Sequence, residues 1–242
     1  MSSRMKKLND SDSIRFARHI SLPDVGLAGQ ERLKNARVLV IGAGGLGSPL
    51  LTYLAAAGVG HITIVDDDVV SLGNLQRQIL YGTSDLGMKK VHLAQSRIND
   101  IYPETEVVCH DFRLTAENAD DLIKFSDVVV DCTDNYKTRS LLGEKTRQHS
   151  KPLVFASVLN YEAQVTVFNY QNGPCLSDLF PELPPDGLFQ ENEIGLMGVL
   201  PGVAGTLQAS EVLKIIVGHG DVLSGKLLVF SLLENRFTIF RY

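Results

Sequence analysis

Four glycines, Gly42, Gly44, Gly45 and Gly47, lie in "IGAGGLG", between the apolar run "RVLVIG" (37–42) and a Leu/Ala-rich stretch (45–59). Their spacing is G-x-G-x-x-G, in the strand–turn–helix context that motif requires. Glycines let the backbone approach phosphate oxygens, and the helix N-terminus favours their negative charge. The turn alone does not separate NAD, FAD and ATP. No G-x-x-x-x-G-K-[ST] occurs, which excludes a P-loop. Asp66 closes the next apolar run, "HITIVD" (61–66), where a carboxylate accepts from a ribose hydroxyl. The segment "DDDVVSLGNLQRQ" (66–78) then supplies more than a ribose needs. Asn74, Arg77 and Lys90 would all cross the mouth of such a crevice. Arg can bind two phosphate oxygens at once, and Lys acts as a point charge. Backbone N–H groups suffice for a pyrophosphate that is only held, whereas a triphosphate being cleaved needs this added charge. The later segment "DCTDN" carries Asp131, Asp134 and Asn135 at the end of another apolar run. A carboxylate there, facing polyphosphate, suits Mg²⁺, which takes one or two carboxylates plus phosphate oxygens. The alternatives are surface charge for Arg77 and Lys90 and a helix N-cap for Asp134.

These residues need a scaffold that brings strand ends together. The sequence predicts helices over 11–22 and 28–36, then strands over 37–42, 61–66, 106–112, 127–133 and 152–158. Helices over 45–59, 88–101, 116–125 and 136–150 separate the strands. This alternation predicts an α/β fold, a doubly wound, mostly parallel Rossmann-like sheet. Right-handed crossovers would set the C-terminal ends of the strands on one edge. After residue 160 the pattern changes. "AQVTVFNY" alternates like an antiparallel strand, a Pro/Gly-rich stretch fills 171–195, and a long helix and two closing strands follow. Antiparallel strands are therefore added at the C-terminal end. With no linker between separate cores, 1–242 reads as one domain. Its parts are N-terminal helices (1–35), a nucleotide-binding core (36–160), a crossover loop (171–195), and a C-terminal helix and strands (196–242).

Composition narrows the function classes. The 242 residues are 44% hydrophobic, enough for a sizeable core. A net charge of −5 argues against general attraction to nucleic acid or an anionic membrane. The three cysteines form no C-x-x-C pair, which argues against a disulfide scaffold and suits a reducing cytoplasm. The polar N-terminus has no apolar h-region, and no apolar run approaches the length of a membrane span, so neither a signal peptide nor a span is expected.

"RFARH", "GAGGLGS", "VDDDVVSLGNLQRQ", "GMKK", "DCTDN" and "GVLPGVAGTLQASEVLK" occur in the order found in the MoeB/ThiF/HesA family. These are bacterial adenylyltransferases related to ubiquitin-activating enzymes, and the resemblance covers roughly residues 10 to 242. It implies a homodimer that binds ATP and Mg²⁺ and a small ubiquitin-like sulfur carrier protein ending in Gly-Gly. The carrier's terminal carboxylate would be adenylated, with pyrophosphate released, for sulfur transfer in molybdopterin, thiamin or related biosynthesis. Carried over residue by residue, Gly42, Gly44, Gly45 and Gly47 line the nucleotide, with Gly45 near phosphate, and Asp66 holds the ribose. Asn74, Arg77 and Lys90 contact phosphates, and Asp134 binds magnesium. Arg18, in "RFARH", corresponds to an arginine that reaches into the partner subunit's ATP site.

The chain departs from the family pattern in two places. Many relatives bind zinc through two C-x-x-C pairs, but here "CLSD" pairs Cys175 with Asp178, so no zinc is expected. Some relatives carry a loop cysteine near the position of Glu191, so no obligatory covalent step is expected on this chain. The crossover loop is expected to cover the carrier's tail, and the small residues of "PGVAGTLQAS" to pack closely. Two other function classes remain open at this level. One is a nicotinamide-dependent oxidoreductase, although no acid–base constellation is evident among the six histidines. The other is a non-catalytic member that only binds a ubiquitin-like partner.

Overall fold

β-Branched apolar runs become strands and Leu/Ala-rich stretches become helices, in the predicted alternation. The computed structural model describes residues 5–182, 184 and 195–242. The chain begins with α1 (Asp10–Arg15), α2 (Ala17–Ile20), α3 (Gly26–Asn35), β1 (Arg37–Ile41), α4 (Gly47–Ala56) and β2 (His61–Val65). It continues with α5 (Lys90–Ile101), β3 (Glu106–His110), α6 (Ala116–Ile123), β4 (Val128–Asp131), α7 (Tyr136–Gln148) and β5 (Leu153–Leu159). The last elements are β6 (Glu162–Phe168), α8 (Leu176–Leu179), α9 (Val199–Val217), β7 (Lys226–Ser231) and β8 (Arg236–Arg241).

The described strands form one eight-stranded sheet in the order β3-β2-β1-β4-β5-β6-β7-β8. The first five positions pair in parallel. β5 to β8 pair antiparallel, as the alternation after residue 160 predicts. Strand order reverses between β1 and β4, which opens a crevice beyond their C-terminal ends. Register sets its floor: Ile41 lies beside Val65 on one side and Asp131 on the other. The residues that follow, Gly42, Asp66 and Cys132, therefore emerge side by side.

Two apolar layers hold this edge in place. One joins the sheet to α4, α5 and α9, and the other packs Leu114, Ile123, Leu142 and Leu176 on the opposite face. Leu50, Leu51 and Leu54 of α4 are fully buried, each contributing about 1.5–3 kcal/mol. α9 is long and apolar enough to cross a membrane by length and composition alone. Its buried Leu200, Ala204, Ala209 and Val212 belong to the sheet's core, which accounts for that composition.

The N-terminal region differs from the single helix predicted over 11–22. It breaks at Phe16, whose ring buries edge-on against Tyr102 with centroids 5.3 Å apart. Asn9 caps α1, and Asp12 closes the capping box. Asp12 also pairs with the Lys34 ammonium and accepts from Tyr102 Oη at 2.6 Å. Burial pushes its carboxyl up, but these partners together hold it below the ordinary carboxylate value. A 3₁₀ turn, Tyr170–Asn172, leads into the predicted loop 171–195, and α8 lies within it. The loop's expected role over a carrier tail, and the Glu191 position, fall outside the described residues.

Candidate functional site

The glycine turn is fixed by close backbone approach. Gly42 has φ +98°, and a Cβ there would lie 2.6 Å from the Cys132 carbonyl oxygen. A Cβ on Gly47 would lie 2.3 Å from the Gly42 carbonyl oxygen. These two glycines are structural necessities of the turn. Gly42→Ala should lose at least about 2 kcal/mol, since the backbone conformation alone costs an L-residue 1–2 kcal/mol and a clash adds to it. For a chain of this size that lowers the melting temperature by about 4 °C or more; an unchanged thermal transition by circular dichroism would contradict this. Gly44 and Gly45 face the crevice. A Cβ on Gly45 would meet Pro201 at 3.2 Å and the Arg77 stem at 3.4 Å, and one on Gly44 would meet the Gln78 amide at 3.4 Å.

Asp66 is anchored to this turn. Its Oδ2 accepts from the Ala43 N–H at 2.7 Å and its Oδ1 from the Asp68 N–H at 2.9 Å. Burial pushes its carboxyl above the ordinary value, against those hydrogen bonds and the nearby Lys90 charge. Tyr81 Oη donates to the Ala43 carbonyl at 2.8 Å and lies 3.4 Å from the Lys90 carbonyl. It therefore ties the glycine turn to the start of α5.

Lys90 is the first residue of α5. Its side chain is 3% exposed, and its ammonium donates to Asp68 at 2.8 Å, where the carboxylate is 60% exposed. Asn74 and Arg77 are half-buried on the connection between β2 and α5. Arg77 Nη1 donates weakly to its neighbouring Gly73 carbonyl, at 3.2 Å. Its stem lies against Gly45, which brings this side chain to the glycine turn. A further cation, Arg113, pairs with Asp67 at 2.8 Å and feels the charge of Asp134.

On the β4 side, the structure excludes the helix-cap reading of Asp134. The N-cap of α7 is Asn135, whose side chain accepts from the Thr138 N–H at 2.9 Å. Asp134 is exposed, one residue before the cap. Asp131 is fully buried, and its burial pushes its carboxyl up, opposed by the Arg139 guanidinium. Gln208 of α9 reaches the same strand end, donating to the Asp131 carbonyl at 2.7 Å. Besides packing its small residues, α9 thus fastens the end of β4.

Arg18 is not brought into this crevice. It is exposed on α2, and Phe16, two residues earlier, packs on Gly58 at the entry to β2, the opposite edge of the sheet. The other predicted residues, Gly42, Gly44, Gly45, Gly47, Asp66, Asn74, Arg77, Lys90 and Asp134, lie on the turns and helix ends along the C-terminal edge.

Sequence reasoning gave no individual role to Gln78 and Gln208, although both lie in the quoted motifs, nor to Tyr81 and Arg139, which lie in none; all four are buried. Among the described residues the buried side-chain polar atoms without a partner are Gln78 Oε1, Asp131 Oδ2 and Arg139 Nε. All three belong to this edge of the sheet, and buried polar groups left unpaired are rare in folded proteins.

The thiols take no obvious part. Burial pushes Cys109 up to about 11 and Cys132 well above the ordinary thiol value, so neither supplies a thiolate at neutral pH. Asp178, in the place of a second zinc-binding cysteine, accepts from Cys175 N at 2.7 Å and from its Sγ at 3.0 Å. It serves as the capping partner of α8.

Comparison with known proteins agrees with this geometry. A sequence model of the ThiF family matches residues 16–242. The chain is 45% identical over 226 residues to the adenylyltransferase and sulfurtransferase MOCS3 of Drosophila sechellia, covering 93% of this chain and 50% of that protein. It is 45% identical over 229 residues to the sulfur carrier protein adenylyltransferase of Thermus thermophilus, covering 92% of this chain and 84% of that protein. It spans about half the length of the MOCS3 relatives it matches. Among solved structures, E. coli MccB with MccA-N7isoASN superposes with a TM-score of 0.83 at 22% identity, over 96% of this chain and 72% of that one. This last likeness concerns the fold alone. A family match across nearly all of the chain, on a sheet whose switch point carries the family's motifs, leads to one assignment: the chain belongs to the ThiF family.

Proposed function

We propose that this chain is an ATP-dependent adenylyltransferase. Its substrate would be the C-terminal glycine carboxylate of a small ubiquitin-like sulfur carrier protein, activated for molybdopterin, thiamin or related sulfur-transfer biosynthesis. The observation that carries the reading is the convergence of the glycine turn, Asp66, Arg77, Lys90 and an uncapped Asp134 at one switch point. The names of the relatives support the substrate class.

In this reading Asp66 receives the ribose, while Arg77 and Lys90 neutralise the phosphates, helped by Asn74. A carboxylate oxygen of the carrier bonds to the α-phosphorus as the bond to the bridging oxygen of pyrophosphate breaks. The electron pair leaves with pyrophosphate. The attacking group is already an anion, so no general base is required, and positioning and charge stabilisation carry the rate. Magnesium fits the residues present: Asp134 is exposed and not spent on the helix cap, and one carboxylate with phosphate oxygens suffices for it. When bound it would neutralise charge on the polyphosphate. No zinc and no covalent step on a cysteine of this chain belong to this account.

The reading extends to a homodimer in which Arg18 of a second copy approaches the crevice. Its support is that Arg18 lies exposed at the far edge of its own sheet. It also takes 1–242 as a single adenylation domain in a cytoplasmic setting, consistent with three free thiols.

ATP–pyrophosphate exchange tests the proposal, using each small carrier protein of the same organism. Exchange should appear with a carrier ending in Gly-Gly and disappear when the two glycines are removed. Absence of exchange with every such carrier would defeat it.

A further inference from the structure

We infer that Arg139 is a positioning residue that holds the Asp134 carboxylate in place for magnesium–nucleotide binding; this rests on the nucleotide reading above. Arg139 lies in the second turn of α7 and is buried. Its Nη2 donates to the Thr133 carbonyl at 2.8 Å and lies 3.3 Å from the Ala156 carbonyl, and its Nη1 lies 3.3 Å from Ser157 Oγ on β5. From the other side, Asp131 Oδ1 accepts from Thr133 N at 2.9 Å and from Thr133 Oγ1 at 2.7 Å. Every polar group of Thr133 is thereby fixed. Asp131 is itself held through its carbonyl by Gln208, and Asn135 is held as the α7 cap. Among residues 131–135 Asp134 is the exposed one, carried on a turn whose neighbours are tied down on both sides.

The charged pair attracts across a gap but makes no hydrogen bond. Arg139 Nε stands 3.9 Å from Asp131 Oδ2, and both atoms lack a hydrogen-bond partner. A buried pair of this kind is a poor source of stability compared with apolar packing. The guanidinium instead spends its best hydrogen bond on the carbonyl immediately before Asp134. A planar fork can reach Thr133 and β5 at once, which an ammonium cannot. This is the arrangement of a group supporting a ligand from behind, and removing such support commonly costs about 10- to 100-fold in metal affinity or activity.

The test uses the full chain and measures ATP affinity by calorimetry with and without Mg²⁺. Arg139→Gln should keep the metal-free affinity and lose most of the gain in affinity that Mg²⁺ gives the wild type, by about tenfold or more. Arg139→Lys should not restore it. Thr133→Val, a milder change of similar volume, should move the gain in the same direction. In both, hydrogen exchange at the amides of 132–135 should quicken. A folded Arg139→Gln with the full wild-type magnesium gain overturns the inference. Should that variant fail to fold, a folded Arg139→Lys with the full wild-type magnesium gain and unchanged amide protection overturns it equally. A wild type with no magnesium gain defeats the nucleotide reading, whereas a gain that survives in the variants defeats only the role of Arg139.

Discussion

Asp134→Ala should lower ATP–pyrophosphate exchange by about 10²–10³-fold, the usual cost of removing one electrostatic contact to a transition state, without unfolding the protein. The two effects separate because of a one-residue offset. Had Asp134 capped α7, its loss would cost about 1 kcal/mol and confound any reading of activity. The cap is Asn135, which the substitution leaves intact. Asp134 is exposed, so truncation opens no cavity. Its charge also helps push the buried Asp131 carboxyl up, so removing it relieves repulsion at the end of β4. The melting temperature should therefore stay at or slightly above the wild-type value while exchange collapses. Wild-type exchange in this variant would remove the magnesium assignment.

Lys90→Gln is expected to be comparably severe, for a different reason. The Lys90 ammonium is already in the crevice, desolvated by its surroundings and held by the solvated carboxylate of Asp68. That pairing keeps a buried cation tolerable in the absence of polyphosphate, and an incoming phosphate offers the same ammonium a stronger, multiply charged partner. Replacement leaves Asp68 facing water, a loss of about 1 kcal/mol or less in stability. The charge facing the phosphates is lost outright, and exchange should fall about 10²–10³-fold. Most of the loss should appear in the rate at saturating ATP, since charge that develops in the transition state is what the ammonium offsets. A variant with an unaltered rate and only a raised KM would show that Lys90 merely binds.

The parts of this account that could be read from the sequence are those with a local signal. The glycine turn announces itself because φ +98° at Gly42 and the 2.3 Å approach behind Gly47 leave no room for a side chain. The parallel strands are continuous apolar runs, and β6 alternates, because helices cover both faces of the former. Arg77 and Lys90 lie on the connection from β2 to the start of α5, and Asp134 follows β4, so order along the chain places all three at the C-terminal edge of the sheet. What the sequence hid depends on contacts between distant segments. Gln208 lies 77 positions from the Asp131 carbonyl it holds, and Tyr81 lies 38 from the Ala43 carbonyl. Neither residue type announces such a bond. The break at Phe16 was invisible for the same reason, because helical periodicity runs through it and only its packing on Tyr102 and Gly58 interrupts the helix. Asn135 rather than Asp134 as the cap was a choice between two good capping residues, which backbone geometry settles.

The most direct test is a crystal structure of the protein with Mg²⁺ and a non-hydrolysable ATP analogue. The account predicts that the Lys90 ammonium exchanges Asp68 for a phosphate oxygen and that the Arg77 guanidinium leaves the Gly73 carbonyl to join it. The metal should lie on Asp134, and the ribose on Asp66. A polyphosphate bound elsewhere, with the Lys90–Asp68 pair and the Arg77–Gly73 contact both intact, would contradict the account.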